Sequence, residues 1–172
     1  MKLSLIMLLG AVALAAGKVW PETSAENTAA TEQTENPRLK HFRLNKDHVA
    51  IDGYDPVSYF KGGPKKGKSE FSYEYEGVIY RFSNADNMRL FKDSPGHYEP
   101  AWGGWCGHAM AVRGEKVEIN PECYKIINGR NVLFFKTFYA NALSNWEKEI
   151  KKTPENTLME QGDRFWTKTL AQ

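Results

Sequence analysis

Gly103-Gly104-Trp105-Cys106-Gly107-His108-Ala109-Met110 concentrates the chemistry of this chain. A cysteine is a soft metal ligand and, as a thiolate, a redox nucleophile. His108 follows Cys106 by two residues. In an extended segment the two side chains would point to one side and could share an ion; on a helix they would diverge by about 200°. Paired glycines let the backbone approach another group closely or take positive φ. Two ligands do not hold zinc, which usually takes three or four. His97, Cys123, His41, His48 and Met110 are further donors, but at no recognised spacing. The plain alternative is a buried cysteine beside a half-exposed histidine.

Cys123 is the second of two cysteines. In an oxidising compartment Cys106 and Cys123 can pair, and closing the loop between them would stabilise the fold by about 3 kcal/mol. There is no Cys-x-x-Cys, so a thioredoxin-type dithiol is not expected. A Cys-His hydrolase would need an orienting Asn or Asp that the sequence does not place. Tyr54, Asp55, Tyr59, Tyr98, Trp102 and Trp105 could wall a pocket or simply fill the core. Gly62 to Ser69 satisfies the phosphate-binding loop expression letter by letter. That loop needs a strand before it and a helix after it. Here the pattern predicts a strand after it, so it reads as a solvated loop.

These residues must be held by the elements around them. Ser69 to Tyr75 alternates Phe71, Tyr73 and Tyr75 with polar neighbours, and Val78 to Phe82 returns after the Glu76-Gly77 turn, a β-hairpin. Ser83-Asn84 caps a helix with Met88 and Phe91 on its apolar face, ended by Pro95-Gly96. Tyr124 to Ile127 and Val132 to Phe135 form a second hairpin around Asn128-Gly129. Asn141 to Lys151 is helical in pattern, with Leu143, Trp146 and Ile150 on one face. The order predicts an α+β fold, a small domain of two β-hairpins with packed helices.

The chain starts with Met1-Lys2, and Leu3 to Ala16 carries no charge. That run is shorter than the ~20 residues of a membrane span and carries near its end a small-x-small pattern, Ala13-Leu14-Ala15. Residues 1–16 therefore read as a signal peptide, with an uncleaved anchor as the alternative, and the protein as periplasmic or secreted. No later stretch is long enough to span a membrane. Residues 17–40 contain few large apolar side chains and no periodicity and read as a disordered tether, leaving 41–172 as the folded domain. The 23 Lys and Arg, one of them Lys2, nearly balance 21 Asp and Glu. Such a balance implies no attraction to nucleic acid or to anionic membranes.

Asp52-Gly53-Tyr54-Asp55-Pro56-Val57-Ser58-Tyr59-Phe60 resembles the opening of the exported YHS-domain proteins. Val78 to Ala85, Phe91, Pro95, Tyr98 and Gly103-Gly104-Trp105-Cys106 resemble the same family in the same order. So do Val117 to Glu122 and Ile126 to Arg130. The resemblance runs from about Ala50 to Trp166. It implies a small α+β module related to domains attached to metal-transporting ATPases and some oxygenases. It implies metal binding through Cys106, or thiol chemistry, since some members carry selenocysteine there. His108 and Cys123 depart from the family pattern, so a Cys-x-His site or a Cys106–Cys123 bridge would be particular to this chain.

The leading expectation is an exported module binding a transition metal, copper or zinc, through Cys106 and His108. A thiol redox protein using Cys106 with Cys123, and a non-enzymatic interaction domain with a pocket at Tyr54, Asp55, Tyr59 and Trp105, are the alternatives. No carboxylate pair, triad or cofactor fingerprint predicts a conventional enzyme, and no partner is indicated.

Overall fold

The computed structural model describes residues 36–172; the expected signal peptide and most of the expected tether lie outside them. Pro37–His41 is a short helix, α1. The first hairpin is β1 (Lys68–Tyr75) and β2 (Val78–Phe82), antiparallel, with Tyr73 opposite Tyr80 and an irregularity between Lys68 and Ser72. Its turn works because Glu76 and Gly77 both take positive φ, the twist that two-residue hairpin loops need. Helices α2 (Ala85–Asp93) and α3 (Pro95–Tyr98) follow. The side chain of Asn84, not Ser83, caps α2 by accepting from the Asn87 amide. Helix α4 (Gly107–Arg113) precedes the second hairpin, β3 (Asn120–Ile127) and β4 (Arg130–Phe134). That hairpin turns at Asn128-Gly129, again with both residues at positive φ. Helices α5 (Ala142–Glu149) and α6 (Glu155–Leu170) close the chain. The fold is thus α+β, two separate two-stranded antiparallel sheets with packed helices, as the sequence predicts.

One core runs through both hairpins. Phe91 of α2 meets Tyr80 and Phe82 of β2 at ring separations of 4.6 and 5.3 Å, and Phe134 of β4 meets Trp146 of α5 at 5.7 Å. The expected tether is corrected at its C-terminal end. Residues 36–40 belong to the folded unit, because Leu39 packs against the core, Arg38 pairs with Glu76 and Glu99, and Asn36 donates to the Glu76 carbonyl at 2.7 Å. A segment poor in apolar residues can still be ordered when its few large side chains and its arginine find partners. No helix among the described residues is long and apolar enough to cross a membrane.

Candidate functional site

Cys106 is the N-cap of α4 and is buried. Its sulfur accepts from the Phe135 amide at 3.4 Å. His108 sits in the first turn of α4 and is only partly buried. Burial lowers its pKa, helped by Arg113 and opposed by Glu149. The extended arrangement that would aim both side chains to one side is therefore not formed. Among the described residues, no group of three or more His, Cys, Asp or Glu is placed to hold a metal ion. The Cys106–Cys123 bridge is not formed either, and both are free, buried thiols. The Cys123 thiol points to Asn141, 3.7 Å to Oδ1, and burial pushes its pKa up. Each sulfur thus has its own partner, one at either end of the Phe135–Asn141 stretch.

The expected pocket of Tyr54, Asp55, Tyr59 and Trp105 is not gathered into one place. Asp55 is fully buried and is a structural hub. Its side chain accepts from the amides of Val57 (2.9 Å), Ser58 (3.3 Å) and Ser83 (2.9 Å), from Ser83 Oγ (2.7 Å) and from Asn87 Nδ2 (2.6 Å). It stitches the Asp52–Phe60 loop to the end of β2 and the start of α2. Tyr59 donates to the Pro121 carbonyl at 2.8 Å, and burial raises its pKa well above the ordinary value. Tyr54 donates to Glu122 at 3.0 Å. These hydroxyls pin the loop onto β3. Trp105 lies apart from them, donating to the His41 carbonyl at 2.7 Å beside α1. The glycine-rich stretch before β1 does lead into a strand, and Gly67 donates to Gly53.

The Gly-Trp segment earns its residue types by packing. Trp102 and Gly103 take left-handed backbone angles, φ 53° and 61°. For a bulky residue such a φ is strained and persists only where its surroundings fix it. Here Trp102 is buried and donates to Asp163 at 2.9 Å. A Cβ on Gly107 would lie 2.3 Å from Val132 and 3.0 Å from Trp102, and one on Gly162 would lie 2.4 Å from Trp102. A Cβ on Gly103 would lie 2.8 Å from Trp166 and 3.1 Å from Phe42. What approaches the glycines closely is the protein's own side chains, Trp102, Trp166, Phe42 and Val132.

That packing leaves an open cleft of about 260 Å³ on the outer side of Trp102-Gly103, between α1, the Glu99–Gly103 segment, β4 and α6. Two guanidiniums line it. Arg38 lies over Phe42 at 4.3 Å and pairs with Glu99, which also accepts from Tyr80 at 2.5 Å. Arg130 lies over Trp102 at 5.4 Å and reaches Asp163 through Nη1 at 2.9 Å. Its other N–H groups have no protein acceptor among the described residues, and its side chain is 38% exposed. Phe42, Trp166 and Leu170 supply the apolar wall, with Phe42 and Trp166 edge to face at 5.9 Å. Sequence reasoning missed this cleft. Its lining is spread from Arg38 to Leu170, and only Trp102 among its side chains had been weighed as a pocket residue.

No protein-family model, no curated protein and no solved structure matches the chain.

Proposed function

We propose that the protein is a non-enzymatic exported binding module whose cleft takes a small carboxylate carrying an apolar group. The observation that carries this reading is the free edge of Arg130, held opposite the Phe42–Trp166–Leu170 wall. The cation–π contact with Trp102 and the pairing with Asp163 hold the guanidinium in place, and an arginine fork so held matches a carboxylate in geometry and charge. The volume, about 260 Å³, falls just below the ~300–1,000 Å³ of common ligand pockets, so the ligand is small. Benzoate and its neutral analogue benzamide probe the idea by calorimetric titration of the exported protein. Benzoate is expected to bind, benzamide to bind more weakly, and Arg130→Gln to weaken benzoate about tenfold. Equal binding of both probes, or none, contradicts the reading.

A second reading follows the resemblance to the exported YHS-domain proteins, which rests on the motifs quoted above. Cys106 and Cys123 are both free and flank one stretch of backbone. Two soft sulfurs suit copper(I), whereas zinc lacks the further ligands it requires. The same pair would serve the thiol redox reading, as nucleophile and resolving partner. Copper(I) competition against a chromogenic chelator separates them. Retention lost in both Cys106→Ser and Cys123→Ser supports the metal, and no retention by wild type removes it.

A further inference from the structure

The segment joining β4 to α5 exposes the two most accessible large apolar side chains among the described residues. Phe138 and Tyr139 are each 94% exposed, against 41% for Val112 on α4 and 40% for Leu170 on α6. They are not on a loose loop. Lys136 bridges Asn141 across the turn, the Thr137 amide donates to the Ala140 carbonyl at 2.8 Å, and the Ala140 amide donates to Thr137 Oγ1 at 3.2 Å. The base is fastened on both sides, at Phe135 by the Ala142 amide (2.9 Å) and at Asn141 by its capping of α5. The two rings meet edge to face at 5.0 Å. Nothing in folding calls for two adjacent aromatic rings displayed in water on a braced turn.

We infer that this turn is a membrane-contact element, inserting Phe138 and Tyr139 into the interfacial layer of a phospholipid bilayer. The shape and size of the patch decide between a bilayer and a protein. Two aromatic side chains can bury roughly 300–500 Å², short of the ~800 Å² per partner of a standard protein interface, and Lys136, Thr137 and Ala140 around them are exposed. A bilayer needs no complementary surface. Aromatic rings, Tyr above all, settle where one end is apolar and the other wet, within the outer ~5–10 Å of the bilayer. Lys136 at the base keeps its ammonium among the headgroups while its stem runs along the apolar layer. The near-balance of charge over the whole chain means that insertion, not a long-range field, supplies the affinity, so a zwitterionic bilayer suffices.

The test places a reporter at the tip of the full chain. Phe138→Trp is mixed with phosphatidylcholine vesicles, with and without brominated acyl chains, and the wild-type emission is subtracted. The expected result is a blue shift of the introduced indole and its quenching by the brominated lipid. A Phe138→Ala/Tyr139→Ala variant is expected to lose both the shift and the quench when the indole is placed at Ala140 instead, which braces the turn through its backbone alone, with an unchanged melting temperature. An indole that stays water-exposed overturns the proposal, whether or not the chain associates with vesicles through another segment. A blue shift that grows with protein concentration in the absence of vesicles also overturns it, and assigns the tip to contact with a second copy.

Discussion

Asp55 shows how a residue that looks functional in sequence can be structural. It sits among turn residues, acidic and next to tyrosines, the profile of a pocket carboxylate. In the fold it is completely buried and accepts five hydrogen bonds from two separate segments. Asp55→Ala would strand the buried Val57 amide and the buried Asn87 side-chain amide, at about 1–3 kcal/mol for each group left unpaired. Urea unfolding should show a loss of about 3 kcal/mol or more. Glu122→Ala, which removes only an exposed acceptor for Tyr54, should cost less than about 1 kcal/mol. Similar losses for the two would contradict the assignment. His41 gives a second prediction. Burial first, then Lys116 and Lys40, hold its pKa below the ordinary value. The unfolded chain therefore binds the proton more readily, so stability falls as pH drops through the unfolded value of about 6.5 and levels off below the folded one. His108 has the same sign. Thermal unfolding between pH 7.5 and 5 should show this loss, and His41→Gln should reduce its slope; an unchanged slope would place the proton elsewhere.

At the level of elements, both hairpins, α2 and α5 were legible because each carries a local signal. The first hairpin has period-two alternation around a two-residue turn, the second has apolar runs on either side of Asn128-Gly129, and the helices have an Asn cap followed by an aromatic at helical spacing. Their anchors, Phe91 and Trp146, are fully buried. Three helices were not legible, and a fourth, α6, was legible and was missed. In α1 and α3, five and four residues are too few for a period. Helix α4 holds Gly107 at its start and reads as a loop, since glycine disfavours helix. Helix α6 does carry a helical period, with Leu158, Met159, Gly162, Phe165 and Trp166 on one face; what sequence does not reveal is that this face packs on α4 and Trp102. The same blindness hid the cleft, and although the paired glycines take positive φ and allow close approach as their type predicts, it hid what approaches them. Gly107→Ala tests the packing account directly. Its Cβ would meet Val132 at 2.3 Å, so despite alanine's better helix propensity the variant should lose about 1–3 kcal/mol. A gain in stability would show that β4 can move away from α4.

Over the whole described unit, its first and last helical segments converge on the cleft, Arg38 and Phe42 from one and Trp166 and Leu170 from the other. Lys40 also reaches the Gln172 carbonyl at 3.3 Å. A chain beginning at Asn36 should therefore be more stable than one beginning at Phe42, by about 1–3 kcal/mol, although its extra residues are mostly polar. Equal melting temperatures would return residues 36–40 to the tether that composition predicts. The cleft itself is best questioned through its tryptophans, because Trp102 and Trp166 line it while Trp146 is buried in the core against Phe134. The direct measurement is a titration of the protein with benzoate, followed by the indole N–H resonances in two-dimensional NMR, with benzamide as the neutral control. The account predicts saturable shifts at Trp102 and Trp166, a still Trp146, and much smaller shifts with benzamide. Unmoved indoles at Trp102 and Trp166, or the same shifts with benzamide, would contradict it.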